Sequence, residues 1–225
     1  ERLDSIIRQR KAFSISFNSP NYFYSNGILV HTDGFRNDVR QVRAFLRGHN
    51  ALLESRSEKG DNYDGNATRF DPTSIFGILE TRLASDESCL VCTDLGTEWA
   101  DYIGIKDNEI TFYHCKHGRD TVGASSLHIV VAQAQKNLVH IGRRTEEILQ
   151  ELRKLRDNAY WRNTRIPRLV RPTGNWEEVE RRVRAMLEQP AFVRWRVAIV
   201  VDMLSVGRFD EEAAQENMKP HFVQL

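Results

Sequence analysis

Trp99-Ala100-Asp101-Tyr102-Ile103-Gly104-Ile105-Lys106-Asp107-Asn108-Glu109-Ile110-Thr111-Phe112-Tyr113-His114-Cys115-Lys116 reads as two strands closed by a tight turn. Trp99 to Ile105 and Glu109 to Lys116 are rich in β-branched and aromatic residues, and Lys106-Asp107-Asn108 supplies the turn chemistry of an antiparallel hairpin. Alternate residues of a strand share a face. His114 and Lys116 therefore point the same way as Phe112 and Ile110, while Cys115 and Tyr113 point the other way. Asp101 stands near the start of the partner strand, where the hairpin carries it back toward the His114 and Lys116 end. An acid, an imidazole and an ammonium thus converge on one edge of a small sheet.

Outward from the hairpin the elements fall into order. Asp71-Pro72-Thr73 is a helix start, followed by Ile75, Phe76, Leu79 and Leu83 at helical spacing, with Glu80 on that helix. Cys89 to Cys92 is a short buried strand. After the hairpin, Ser125 to Leu138 forms a helix carrying Gln133 and Lys136; Thr145 to Asp157 and Asn175 to Leu187 are also helical. Arg196 to Leu204 is the last strand, with a helical region at 211–217 beyond it. Upstream, strands are expected at 13–17 and 27–32 and a helix at 38–46 stopped by Gly48. The Gly-, Asn- and Asp-rich stretch from Ser55 to Thr68 is the best internal boundary. This predicts an α/β fold with a central mixed β-sheet flanked by helices. Residues 1–70 form an N-terminal α/β segment, and residues 71–225 form a core with a helical insertion at about 139–195.

Glu80 on the first helix, Asp101 on one strand, His114-Cys115-Lys116 on the next and Gln133 on the following helix resemble the signature of the PD-(D/E)XK, restriction-endonuclease-like, nuclease superfamily. The resemblance covers roughly Asp71 to Leu138, with Val197 to Val201 as a further core strand. It implies a metal-dependent nuclease that hydrolyses DNA, with RNA left open as substrate. Glu80, Asp101 and His114 would hold Mg²⁺ or Mn²⁺, Lys116 would stabilise the nucleophile or the developing phosphorane charge, and Gln133 would orient water or phosphate. The wider context it implies is a module of a larger prokaryotic defence or DNA-processing protein. A helicase or ATPase would be its partner, or a second copy in a homodimer. The alternative is a catalytically inactive module of the same fold that binds nucleic acid or a partner protein.

One position departs from the pattern, because His114 stands where the family has Glu or Asp. Mg²⁺ prefers carboxylate oxygens, whereas a neutral imidazole suits Mn²⁺ and other transition metals better. His114 would then be a ligand or a general base. Glu98 is the reserve ligand should Glu80 point away. A zinc site from Cys89, Cys92, His114, Cys115 and His117 is disfavoured, since residues three apart on a strand face opposite sides. His128 and Gln133 do not share a helix face, and His128 is read as a core or interface residue.

The chain has 225 residues, with 32 Lys and Arg against 31 Asp and Glu and a formal net charge of +1. That balance excludes a uniformly basic nucleic-acid coat, and no apolar run is long enough to span a membrane. The charge is unevenly distributed. Residues 143–196 are rich in arginine, and Tyr160 to Arg171 holds no acid at all. Trp161, Arg162, Arg165, Arg168 and Arg171, with Lys136, are the expected nucleic-acid contacts: guanidinium groups for phosphate and an indole for stacking. The competing reading is a solvated helix pair with internal salt bridges. Three cysteines and the absence of an apolar signal segment at Glu1 to Asp4 suit a reducing, cytoplasmic setting. The chain carries no phosphate-binding glycine loop and no Gly-x-Ser-x-Gly elbow, so ATP chemistry would lie elsewhere.

Overall fold

The computed structural model describes residues 14–16, 22–25, 28–31, 35–95, 99–118, 124–140 and 145–214. In chain order the elements are β1 (Ser14–Ser16), β2 (Tyr22–Ser25), β3 (Ile28–His31), α1 (Phe35–Phe45), α2 (Ile75–Ile78, continued by a π-turn over Leu79–Leu83), β4 (Cys89–Cys92), β5 (Tyr102–Lys106), β6 (Glu109–Lys116), α3 (Ala124–Asn137), α4 (Thr145–Asp157), β7 (Leu169–Arg171), α5 (Trp176–Leu187), β8 (Arg194–Val201) and α6 (Val206–Ala213). None of the described helices is long and apolar enough to cross a membrane.

The chain divides into two units, one of residues 1–48, 120–128 and 203–225 and the other of residues 49–119 and 129–202. In the first, β1, β2 and β3 form an antiparallel meander, and Phe209 of α6 is buried against Val42, Leu46, Leu204 and Ala213. The helix expected at 211–217 is α6, which begins earlier because the Ser205 hydroxyl caps it by accepting from the Arg208 N–H. Residues 215–217 lie outside the described residues. The boundary expected near residue 70 differs from this division: Leu52, Tyr63, Ala67 and Phe70 pack with the second unit's core.

That second unit is built on a five-stranded mixed sheet in the order β7-β4-β5-β6-β8, with β8 parallel to β6 and the other pairs antiparallel. Tyr102 pairs with Tyr113 and Ile103 with Phe112, the register the hairpin turn dictates. Period-two alternation gives the sheet two apolar faces, and helices cover both. On one, Cys89, Val91, Ile105, Ile110 and Phe112 pack against Ile148, Leu149, Leu152 and Leu155 of α4 and Val179 and Val183 of α5. On the other, Leu90, Cys92, Tyr102, Tyr113 and Cys115 pack against Ile75, Phe76 and Leu79 of α2, with Phe70, Trp161 and Ile166. Cys89 and Cys92 fall on opposite faces, as the strand geometry predicts.

The region expected as a helical insertion therefore supplies one cover of the sheet, and it adds an edge strand that sequence reading did not anticipate. β7 is three residues long between Pro167 and Pro172, too short for alternation to register. At the α2 start, Ser74 caps the helix by accepting from the Gly77 N–H at 3.0 Å. Gly77 is needed there for a steric reason, because a β-carbon would lie 2.1 Å from the Asp71 carbonyl oxygen. Gly77→Ala is expected to destabilise the fold by about 3 kcal/mol, the cost of forcing two backbone segments apart. Urea denaturation at neutral pH, comparing midpoints at equal slope, measures this.

Candidate active site

Antiparallel pairing brings the end of β4, the start of β5 and the end of β6 to one edge of the sheet. Asp101, one residue ahead of β5, is tied there by backbone and side chain. Its N–H donates to the Tyr113 carbonyl at 2.9 Å, and its carboxylate accepts from the Cys115 N–H at 2.7 Å. The β5–β6 pairing ends at Tyr102 and Tyr113, so Asp101 meets β6 through the backbone at Tyr113 and Cys115. The hairpin thus brings the Asp101 carboxylate to the backbone of Cys115, between His114 and Lys116.

Lys116 does not stand alone at this edge. Its ammonium lies 2.7 Å from the Glu58 carboxylate, and Lys59 lies 3.7 Å from the same carboxylate. Lys59 also donates to Asp94 at 3.0 Å and sits 5.1 Å from the centre of the Phe76 ring. The Trp161 indole N–H donates to the other side of this arrangement, reaching Asp94 Oδ2 at 2.6 Å. Three carboxylates and two ammonium groups therefore share the strand ends. The segment bearing Glu58 and Lys59 is fixed by backbone bonds: the Ile75 N–H donates to the Ser57 carbonyl at 2.9 Å and the Phe76 N–H to the Glu58 carbonyl at 3.0 Å. Asp202, just past β8, secures the same end of β6, accepting from the Gly118 N–H at 3.0 Å and meeting His117 Nδ1 at 2.5 Å.

Burial sets the protonation states. It pushes the Asp101 carboxyl up from 3.8 to about 7, against the opposing pull of the Cys115 N–H and Lys59; Glu58 and Asp94 add to the rise. Burial also acts on Asp94, but the Trp161 bond and Lys59 outweigh it and hold that carboxyl below its ordinary value. His114 is 3% exposed, and burial lowers its pKa to about 4, so the imidazole is neutral at physiological pH. Its Nε2 is buried with no hydrogen-bond partner, which leaves a nitrogen lone pair or N–H uncommitted.

Several expected contributors stand elsewhere. Glu80 turns to the Tyr102 hydroxyl, which donates to it at 2.9 Å, and burial raises its pKa to about 7. The groups acting on Glu80 are Tyr102 and Arg171, whereas those acting on Asp101 are Cys115, Lys59, Glu58 and Asp94. Among the described residues no group of three or more His, Cys, Asp or Glu is placed to hold a metal ion, so the expected set of Glu80, Asp101 and His114 is not assembled. Gln133 and Lys136 are exposed on α3. Glu98 lies outside the described residues, and the His128 side chain is likewise not described.

The expected nucleic-acid track splits in two. Trp161 is 3% exposed and spent on Asp94, so it cannot stack on a base. Arg168 is 2% exposed and donates to the Asp94 carbonyl at 3.0 Å. Arg171 donates to the carbonyls of Glu80 at 3.0 Å, Glu87 at 3.2 Å and Ala84, closing the C-terminal end of α2. These three are structural, because an acid-free stretch lets arginine pair with backbone carbonyls as readily as with phosphate. Arg162 and Arg165 are exposed, the former lying 4.4 Å from the centre of the Trp161 ring.

Glu58 and Lys59 were not foreseen, because they lie in the Gly- and Asp-rich stretch that reads as a boundary. No periodicity marks them; only their position just before the Gly60 turn hints that the chain stops there for a reason. Comparison with protein-family models, with curated proteins and with solved structures finds no match to this chain.

The Asp101 carboxyl gives a direct test of this electrostatic account. Its folded pKa of about 7 lies above its ordinary value of 3.8, so ionisation penalises the folded state. The penalty is absent below about pH 4, grows as pH rises toward 7 and is constant above that. Asp101→Asn removes it. With a chelator present, the variant is expected to be more stable than wild type at pH 8 by on the order of 2 kcal/mol, with the gain vanishing toward pH 4. His114 titrates in the opposite sense but is common to both proteins, so thermal melting of the pair isolates Asp101. Equal melting temperatures at pH 8 would refute the buried-carboxylate reading.

Proposed function

We propose that the chain is a divalent-metal-dependent nuclease that hydrolyses phosphodiester bonds in DNA, with its chemistry at Asp101, Glu58 and Lys116. The observation that carries this reading is the 2.7 Å pair of Lys116 and Glu58 beside the half-buried Asp101 carboxylate. Glu58 supplies from another part of the chain the carboxylate that His114 withholds from the acid-x-Lys pattern.

The donor set suits a hard cation. Mg²⁺ is commonly held by one or two carboxylates, with substrate phosphate and water completing its shell. Asp101 and Glu58 are two such carboxylates. When bound, the cation would neutralise phosphoryl charge and acidify an attacking water. The chain's own residues do the rest. Asp101 gives up the proton that burial holds on it, so cation affinity is expected to rise with pH through about 7. Lys116 offsets the charge that accumulates on the phosphate in the transition state. Lys59, anchored by Asp94 and Phe76, adds a second fixed positive charge, and exposed Arg162 and Arg165 are the candidates for contact with flanking phosphates.

A binding module without catalysis is the second reading, favoured by the lack of a three-ligand cluster among the described residues. Cleavage of supercoiled plasmid, single-stranded DNA and RNA in Mg²⁺ or Mn²⁺ decides between them. Asp101→Asn, Glu58→Gln and Lys116→Ala are each expected to lower the DNA cleavage rate about a hundredfold or more, while Lys106→Ala on the same sheet leaves it unchanged. Wild type cutting no faster than the three site variants in either metal would end the nuclease reading. Salt-sensitive retention of DNA without cleavage would leave the binding module in its place.

A further inference from the structure

Between the sheet and the helices α4 and α5 lies an apolar cavity of about 270 Å³. Its floor includes Ile103, Ile110 and Phe112, and its walls include Leu152 and Val183. It is partly open to solvent and has the volume of about nine waters at ~30 Å³ each.

The polar side chains of the lining give water or a charged ligand little to hold. The Thr93 hydroxyl donates to the Ala100 carbonyl at 2.5 Å. Lys154 pairs with Glu151 at 2.5 Å, and the Asn158 amide donates to the Lys154 carbonyl at 2.9 Å. Thr93, Glu151, Lys154 and Asn158 are thus already bonded within the protein. What remains is hydrocarbon and aromatic surface, including Trp195 stacked on Phe112 with ring centres 5.8 Å apart.

We infer that this cavity is a binding site for a small, neutral, predominantly aromatic molecule, separate from the charged edge that carries the proposed chemistry. An apolar cavity of about 150 Å³ in another protein accepts benzene, so by proportion this one accommodates about eleven non-hydrogen atoms, a two-ring system. The flat floor of a sheet and the aromatic faces of Phe112 and Trp195 suit planar rings.

The test is a fluorescence titration of the full chain with 2-naphthol, a neutral two-ring probe. Saturable one-to-one binding is expected. Val183→Phe, which fills the cavity from α5, is expected to weaken it at least about tenfold without lowering the melting temperature. Ile148→Phe fills it from α4 and serves the same purpose should the first variant not fold. Absence of saturable binding, or undiminished binding by every folded filled variant, would overturn the inference. Competition of the probe by adenosine but not by naphthalene would overturn the apolar ligand class.

Discussion

The hydrogen bond from the Cys115 N–H to the Asp101 carboxylate is the contact around which the site is organised. It joins the entrance of β5 to the exit of β6, so the hairpin closes at its open end as well as at its turn. An ionised carboxylate at a buried strand end is costly, and one backbone donor offsets only part of that cost. The balance is visible in the raised pKa of Asp101. The surrounding charges follow from the same constraint. Lys59 and Lys116 are drawn to the strand ends by carboxylates, and Glu58 and Asp94 are held there by the lysines in turn. Proteins tolerate such destabilising groups where function uses them.

The apolar architecture makes this edge rigid. β4 and β6 are buried over nearly their whole length, β5 lies between them, and α2 packs on the face opposite to α4 and α5. The π-turn at the end of α2 adds one residue to the helical repeat, and Glu80 within it accepts from the Tyr102 hydroxyl. Arg171 then closes the carbonyls at that helix end. Residues that look like a phosphate-binding track are used to fasten β7 and α2 to the sheet.

The hairpin, the helices on either side of it and the mixed sheet were legible in the sequence because each carries a strong period, two for Ile103–Ile105 and Ile110–Phe112, and about 3.6 for Ile75–Leu83 and Ile148–Leu155. The return of Asp101 to the Cys115 end of β6 followed from turn length alone. The Tyr102 partner of Glu80 was not legible, because periodicity places a residue on a helix face but does not say which strand residue that face meets. Glu58 could not be found this way: it reaches Lys116 through a turn whose geometry depends on backbone bonds to Ser57 and Glu58 from the start of α2. Trp161 and Arg168 failed as surface residues for a related reason. A short segment between prolines carries no periodic signal of burial, so charge and aromaticity were read as exposed chemistry.

The central claim is that Asp101 and Glu58, and not Glu80, hold the cation of a phosphodiester hydrolase. Diffraction from crystals grown with Mn²⁺, phased on its anomalous signal, tests it most directly. The account predicts an anomalous peak bounded by the carboxylates of Asp101 and Glu58, with Lys116 moved off Glu58 to make room. A peak beside Glu80, or Mn²⁺ bound elsewhere on the chain while Asp101 and Glu58 keep their lysine partners, would contradict it.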